Sequence, residues 1–430
     1  MKKKVLVFPC GSEISLEIAR SLKYNKHFEL FGANSVDDHG KYVYENYIGN
    51  VANVDDKNFI SDISKICRKN KIDYIFPAHD SVVLKLAKHQ KEIDATVIGS
   101  EFKTCEICRS KKLTYEKLRG LIPTPKLFNE PDLIEEFPVF MKPEVGQGSK
   151  GTLIAYNLEE VKLALKNDNS LIICELLTGE EYTVDCFTNK NGDLIYAQPR
   201  KRNRIMNGIS VNSYFENKDK EQFFDFATNI NKNLKLSGAW FFQVKKDKFN
   251  KLKLLEIAPR IAGAMCLSRM SGINLPLLAL YQVMGIDVSI PKQNLNLVVD
   301  RALSSKYELN IKYNKVYVDF DDTLVFDNKV NPDVISFIYK NINNGKEIIL
   351  ISRHLKGEKH LYEELKRLCI DKGLFKRIIC IQSDDLKSNY VDDNSIFIDD
   401  SFRERLEISK NSNIVTFDVS EISELNEGTI

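Results

Sequence analysis

Two apolar runs in this chain end abruptly at charged residues and turns, and they limit what it can fold into. The first is Phe137-Pro-Val-Phe-Met-Lys-Pro-Glu-Val-Gly-Gln-Gly-Ser-Lys-Gly-Thr152, a strand that reaches Lys142 and enters a glycine-rich loop. The second is Val316-Tyr-Val-Asp-Phe-Asp-Asp-Thr-Leu324, a strand that ends in packed carboxylates. Glycines at 146, 148 and 151 let backbone N–H groups converge on an anion without Cβ crowding. Lys142 adds a compact positive charge. Neighbouring carboxylates repel unless a cation bridges them. The first run therefore suits holding a nucleotide's phosphates, and the second suits attacking a phosphate ester.

Around these runs the sequence reads as α/β. Strands are expected at Lys4–Phe8, Phe28–Gly32, Ile72–Phe76 and Val97–Gly99, with a helix at Glu13–Leu22. This alternation implies a parallel sheet covered on both faces. The strand–turn–helix start has only Gly11, a weak signal for a dinucleotide. From about Ser110 the pattern changes to strands with helices at Lys112–Leu118, Leu158–Lys166, Glu221–Asn233 and Leu275–Met284. Periodicity fades between about Pro291 and Asn314, where the last domain boundary is expected. Beyond it, strands are expected at Lys315–Asp319, Glu347–Ser352, Ile378–Gln382 and Ser395–Asp399.

The formal net charge is +2, so no global field favours nucleic acid or an anionic membrane. The densest basic run, Arg200-Lys-Arg-Asn-Arg204, reads as a solvated loop or as an anion clamp, with nucleic acid a remote third. No run approaches the length of a membrane span. The apolar stretch before Pro9 is too short for a signal peptide, so a cytoplasmic location is expected. The nine cysteines are scattered and read as reduced core thiols. Cys105-Glu-Ile-Cys108 lacks the further ligands that a zinc site needs.

Gln243 and Glu256, on adjacent antiparallel strands, would come together as an oxygen pair able to hold Mg²⁺. The order Lys142, glycine loop, Glu175-Leu-Leu177, Gly179-Glu-Glu181, Gln243, Glu256-Ile-Ala-Pro-Arg260 resembles the ATP-grasp superfamily, in particular its carbamoyl-phosphate-synthetase-like and carboxylate–amine ligase members. The resemblance covers about residues 1–290. It implies that Lys111 and Lys142 contact the ATP phosphates and that Gly146, Gly148, Ser149 and Gly151 fold over them. Glu175 and Leu177 would hold the adenine edge and Glu181 the ribose. Gln243 and Glu256 would hold Mg²⁺. Arg260, with Arg200 or Arg202, would steady the transferring phosphoryl group. The family usually reads E-x-N-P-R where this chain has Ala258, so one of two metal sites is short of an oxygen.

In the second run, Asp319 is placed to attack phosphorus and Asp321 to act as acid and base. Glu347-Ile-Ile-Leu-Ile-Ser352 ends in a hydroxyl and Ser395-Ile-Phe-Ile-Asp-Asp400 in two more acids, with Lys387 between them. This resembles the haloacid-dehalogenase-like (HAD) phosphatases over about residues 313–424. It implies Asp319 as nucleophile and Asp321 as acid/base, with Ser352 and Lys387 on the phosphate. Asp399 and Asp400 would hold Mg²⁺ with Asp319 and the main-chain oxygen of Asp321. Lys376 is a rival to Lys387, and His354 and His360 read as surface residues. The stretch from Asp319 to Ser352 has little room for a cap, so a bulky substrate or the ligase half is expected to cover the site.

The expected architecture is a Rossmann-like pre-ATP-grasp domain over 1–108, an ATP-grasp α+β domain over 109–295 and a HAD-like Rossmannoid domain over 313–430 without a large cap. The resemblances imply a bifunctional enzyme using ATP and Mg²⁺. One half would join a small-molecule carboxylate to an amine, and the other would hydrolyse a phosphorylated metabolite. No nucleic-acid or membrane partner is expected, and a homodimer is possible within the ligase family. One alternative keeps the phosphatase and makes the first half a nucleotide-binding regulator. Another makes the second half a phosphate-binding scaffold.

Overall fold

The computed structural model describes residues 2–291, 295–354, 356–382 and 384–427. The chain falls into two compact units, Met1–Ala302 and Leu303–Ile430.

The first unit begins with a parallel sheet of β1 (Lys3–Phe8), β2 (Phe28–Ala33), β3 (Asn46–Ile48), β4 (Tyr74–Pro77) and β5 (Thr96–Val97), in the order β3-β2-β1-β4-β5. Val5, Leu6 and Val7 of the central strand are fully buried, as a sheet covered on both faces requires. The helix Glu13–Leu22 starts at Ser12, whose hydroxyl accepts a hydrogen bond from the Ser15 N–H. Gly11 has a packing reason: a Cβ there would lie 1.9 Å from the Asp38 carboxylate. Helices Phe59–Asn70 and Asp80–Lys88, absent from the sequence reading, also flank this sheet. The first of them buries Phe59, Ile60, Ile63 and Cys67. Cys105 and Cys108 lie buried on the helix Phe102–Arg109, and burial pushes the Cys105 thiol up to about 12.

Two antiparallel sheets follow. The smaller has β6 (Leu127–Phe128), β7 (Val139–Pro143), β8 (Leu153–Ala155) and β9 (Leu171–Glu175), in the order β6-β9-β7-β8. The larger has β10 (Glu181–Thr188), β11 (Leu194–Met206), β12 (Ile209–Phe215), β13 (Gly238–Lys246), β14 (Leu252–Ala258) and β15 (Val298–Asp300), in the order β14-β13-β10-β11-β12-β15. One face of the larger sheet packs Tyr182, Trp240 and Phe242 against Phe223, Phe226 and Ile230 of the helix Lys220–Asn233. The basic run Arg200–Arg204 is not a solvated loop. It lies in β11, and its four cations pair with Asp185, Glu180, Glu181 and Asp300. Asp300 belongs to β15, which pairs with β12 and carries the first unit past residue 295.

The second unit is a parallel sheet of β16 (Lys315–Val318), β19 (Glu347–Ser352), β20 (Arg377–Cys380), β21 (Ser395–Ile398) and β22 (Val415–Phe417), in the order β20-β19-β16-β21-β22. Between β16 and β19 lie a small hairpin, β17 (Val325–Phe326) and β18 (Lys329–Val330), and the helix Pro332–Asn343. That leaves no room for a large cap. The strand order reverses at β16, which opens a crevice at the carboxyl ends of β16, β19 and β21. Among the described residues no helix is long and apolar enough to cross a membrane.

Candidate functional sites

In the first unit a cavity of about 440 Å³ opens between the two antiparallel sheets. Lys111, Lys142, Gly146, Gly148, Ser149, Glu175, Leu177, Glu181, Arg202, Gln243 and Glu256 all line it. Gly151 belongs to the same loop without lining the cavity. Lys142 stands on β7 with its side chain buried. Its ammonium donates to the Tyr115 hydroxyl at 2.9 Å, and Tyr115 donates in turn to the Leu255 carbonyl at 2.7 Å. Burial opposes the charge on Lys142, but Tyr115, Cys174 and Glu256 outweigh it and hold its pKa above the ordinary value. Lys111 differs: burial holds its pKa below the ordinary value despite Glu256 nearby.

Gln243 pairs with Glu256 in register, and Val244 pairs with Leu254. Leu255 is therefore the extra residue of a bulge, a device that re-aims side chains. The bulge keeps both oxygen-bearing side chains on the cavity side and presents the Leu255 carbonyl to Tyr115. Among the described residues no hydrogen bond reaches the Glu256 carboxylate. Gln243 Oε1 accepts from Arg202 at 2.7 Å, and Arg202 also pairs with Glu181 and donates to the Gly208 carbonyl at 2.7 Å. Gly208, at φ +77°, sits at the tip of the β11–β12 hairpin, where a Cβ would come within 2.6 Å of the Gly148 carbonyl. The hairpin tip and the glycine loop thus meet backbone to backbone at the cavity's edge.

Three expected residues are engaged elsewhere. Arg200 is buried in a pair with Asp185 at 2.9 Å. Arg260 lies outside the cavity lining, with both arms on Asp80 at 2.7 Å. Burial disfavours both charges of that pair, and their attraction prevails, holding Asp80 below the usual carboxylate range. The Glu175 carboxylate is held by Lys253 at 2.5 and 2.7 Å. Tyr115 is the residue the sequence reading missed. Its one local signal is its place on a short helix just after Lys111.

In the second unit a cavity of about 640 Å³ lies over the carboxyl ends of the central strands. Asp319, Asp321, Ser352, Lys387, Asp399 and Asp400 all line it. Asp319, Asp399 and Asp400 each offer an oxygen within 4.8 Å of the others. The buried Lys387 ammonium bridges Asp319 at 2.8 Å and Asp399 at 2.6 Å. One ammonium serves two buried carboxylates, so surplus negative charge remains. Burial pushes the pKa of Asp319 up, Asp399 adds to the rise, and Lys387 offsets only part of it. The lysine itself stays charged, because its two partners overcome its burial. Hard oxygen ligands with surplus negative charge fit Mg²⁺. Lys376, the rival to Lys387, is exposed and pairs with Glu347 at 3.8 Å.

His354 corrects the sequence reading. Its side chain is only 9% exposed, its Nδ1 lies 2.9 Å from Asp321 Oδ2, and its Nε2 lies 2.7 Å from His360 Nδ1. A histidine following a strand gives no local sign that the carboxylate it meets lies one strand away.

Residues 167–302 match the family model described as "ATP-grasp in the biosynthetic pathway with Ter operon". Residues 43–99 match the one described as "PylC-like, N-terminal domain". A 5-formaminoimidazole-4-carboxamide-1-(beta)-D-ribofuranosyl 5'-monophosphate synthetase of Pyrobaculum islandicum is 26% identical over 41% of this chain and 52% of its own length. A D-alanine–D-alanine ligase of Fusobacterium nucleatum is 30% identical over 27% of this chain and 44% of its own length. The chain thus spans about half the length of these relatives. Among solved structures, the biotin carboxylase domain of the Hydrogenobacter thermophilus 2-oxoglutarate carboxylase, in complex with MgADP, ADP and bicarbonate, aligns with a TM-score of 0.58 at 18% identity. It covers 67% of this chain and 71% of that one. At that identity the likeness is one of fold, and the first unit has the ATP-grasp fold.

Proposed function

From the ATP-grasp fold of the first unit, we propose that this unit is an ATP-dependent ligase that joins a carboxylate to an amine through an acyl phosphate. The observation that carries the proposal is the convergence of Lys111, Lys142, the glycine loop, Gln243 and Glu256 on one cavity. A carboxylate oxygen attacks the γ-phosphorus and ADP leaves. The amine nitrogen then attacks the acyl carbon, gives up a proton, and phosphate leaves. Lys142 and Lys111 neutralise phosphate charge, and the loop N–H groups hold the phosphate oxygens. The main chain at Glu175 and Leu177 takes the adenine edge, and Glu181 the ribose. Gln243 and Glu256 offer hard oxygens that fit Mg²⁺, which would supply further neutralisation of the phosphates. ADP release measured across a panel of carboxylates and amines tests the reading. Release that requires both partners, and that falls with Lys142→Ala, supports it, and release indifferent to both refutes it.

The second unit is read as a HAD-type phosphohydrolase. Its support is the triad of acids with Lys387 shared between Asp319 and Asp399. Asp319 attacks phosphorus while Asp321 gives a proton to the leaving oxygen. Water then returns a proton to Asp321 as it attacks the aspartyl phosphate, and Asp319 is freed. Asp319, Asp399, Asp400 and the main chain of Asp321 would hold Mg²⁺. Phosphate release from p-nitrophenyl phosphate that disappears in Asp319→Asn is the expected result, and release unaffected by that change would refute the reading.

A regulatory reading of the first unit draws on the engagement of Arg202 with both Glu181 and Gln243, together with Ala258. Nucleotide binding with no carboxylate-dependent ADP release would favour it.

A further inference from the structure

We propose that His354, braced by His360, is the positioning residue for the acid/base Asp321. This rests on the phosphohydrolase reading of the second unit.

The Asp321 side chain is 51% exposed, so packing alone does not fix its rotamer. Among the described residues two partners hold it. Ser352 Oγ is 3.3 Å from Oδ2, while His354 Nδ1 lies 2.9 Å from Oδ2 and 3.2 Å from Oδ1. The imidazole is therefore the closer hold. It is itself closely packed: its side chain is 9% exposed, and Phe320 meets it edge-on at 5.7 Å and 89°. Phe320 lies between Asp319 and Asp321, so the backbone that carries both acids also packs the imidazole.

His360, on the helix Glu358–Arg367, closes the far side with Nδ1 at 2.7 Å from His354 Nε2. That contact accommodates a single proton. A neutral His354 that donates from Nδ1 to Asp321 must accept at Nε2, so His360 donates from its own Nδ1. An outer partner of this kind fixes the tautomer and orientation of the ring it touches. His354 lies nearer Oδ2, at 2.9 Å against 3.2 Å, and Ser352 holds the same oxygen, so Oδ1 is left to carry the proton that goes to the leaving group. As the bond from phosphorus to the leaving oxygen breaks, Asp319 forms its own bond to phosphorus, and the Asp321 proton passes to the departing oxygen.

The test compares kcat/KM for phenyl phosphate, whose leaving group needs a proton, with p-nitrophenyl phosphate, whose leaving group departs with little help. His354→Leu should lower the phenyl ester by about 100-fold, within the range of acid catalysis, and the p-nitrophenyl ester by no more than about threefold. His354→Asn keeps an N–H donor near the Nδ1 position and should restore most of the loss. His360→Leu, on a partly exposed helix, should show the same selectivity more weakly. Equal losses on both esters, or no rescue by Asn, would overturn the positioning role while leaving the phosphohydrolase reading intact. A wild-type chain inert to both esters, and unchanged by Asp319→Asn, would overturn both.

Discussion

Gln243 and Glu256 stand opposite one another on β13 and β14, immediately beside a bulge that inserts Leu255. A one-residue slip there would turn Glu256 to the packed side of the sheet and end the pairing. Glu256→Gln keeps the shape and removes the charge. It is expected to lower ADP formation at limiting Mg²⁺ by roughly 10–100-fold, a span typical of losses at metal sites, with partial recovery at high Mg²⁺. A magnesium titration of ADP release checks this, and an unchanged titration would remove Glu256 from the metal's neighbourhood.

Ala258 lies buried two residues after Glu256, beside Phe241 and Ala262. Ala258→Asn places an amide oxygen where the E-x-N-P-R pattern has one. The expected result is a several-fold lower Mg²⁺ requirement for ADP release. A collapse in thermal stability with no gain in metal response would mean that the pocket has no room for the amide.

Tyr115 ties Lys142 to the bulge. Tyr115→Phe leaves the buried ammonium with one hydrogen bond fewer, a loss of about 1–1.5 kcal/mol. The KM for ATP should rise about 5- to 10-fold, and the melting temperature should fall modestly. Steady-state kinetics with varied ATP reads the first, and thermal unfolding the second.

Lys111 has a depressed pKa because burial disfavours its charge. A lysine is neutral above its pKa, so in the proposed ATP site the phosphates would lose this cation at a lower pH than an exposed lysine would allow. ATP affinity is expected to weaken on the alkaline side, before pH 10.5 is reached. Lys111→Arg should flatten that limb, because arginine keeps its charge there. ATP binding measured against pH in both proteins decides the matter.

Asp319 has a raised pKa, so the folded chain binds a proton that the unfolded chain has released. Stability without metal therefore falls as pH rises from the ordinary carboxylate range through the folded value. Asp319→Asn removes that dependence. In chelator at pH 8 the variant should melt a few degrees higher than the wild type, and the gap should shrink toward pH 5, since about 1 kcal/mol moves a unit of this size by roughly 3–6 °C. Differential scanning calorimetry of the full chain is the measurement.

Many strands were legible because each is a short apolar run stopped by a polar end, among them those that lead to Lys142, Glu256, Asp319 and Ser352, whereas β3, β12, β15 and β22 were not read from the sequence. The helix Phe59–Asn70 was legible in principle, since Phe59, Ile60, Ile63 and Cys67 share one face. Partnerships across long separations were not. Arg260 meets Asp80 at the start of the helix Asp80–Lys88, and Arg200 is consumed by Asp185 on the neighbouring strand. No spacing within a run records either contact. His354 was misread for the same reason: its environment comes from Asp321, Phe320 and His360, which only the fold brings together.

Where Gly208 touches Gly148, main chain meets main chain, with no side chain on either side. An alanine scan across the rim of the cavity would therefore behave inversely here. Elsewhere substitution removes atoms and loosens contacts, but at Gly208 it adds a methyl group 2.6 Å from the Gly148 carbonyl and wedges the rim apart, whereas a methyl at Gly148 would meet nothing within 4 Å. The contact itself carries no ionisable group and answers to added bulk, while the Gly208 carbonyl is tied through Arg202, at 2.7 Å, to Glu181 and Gln243.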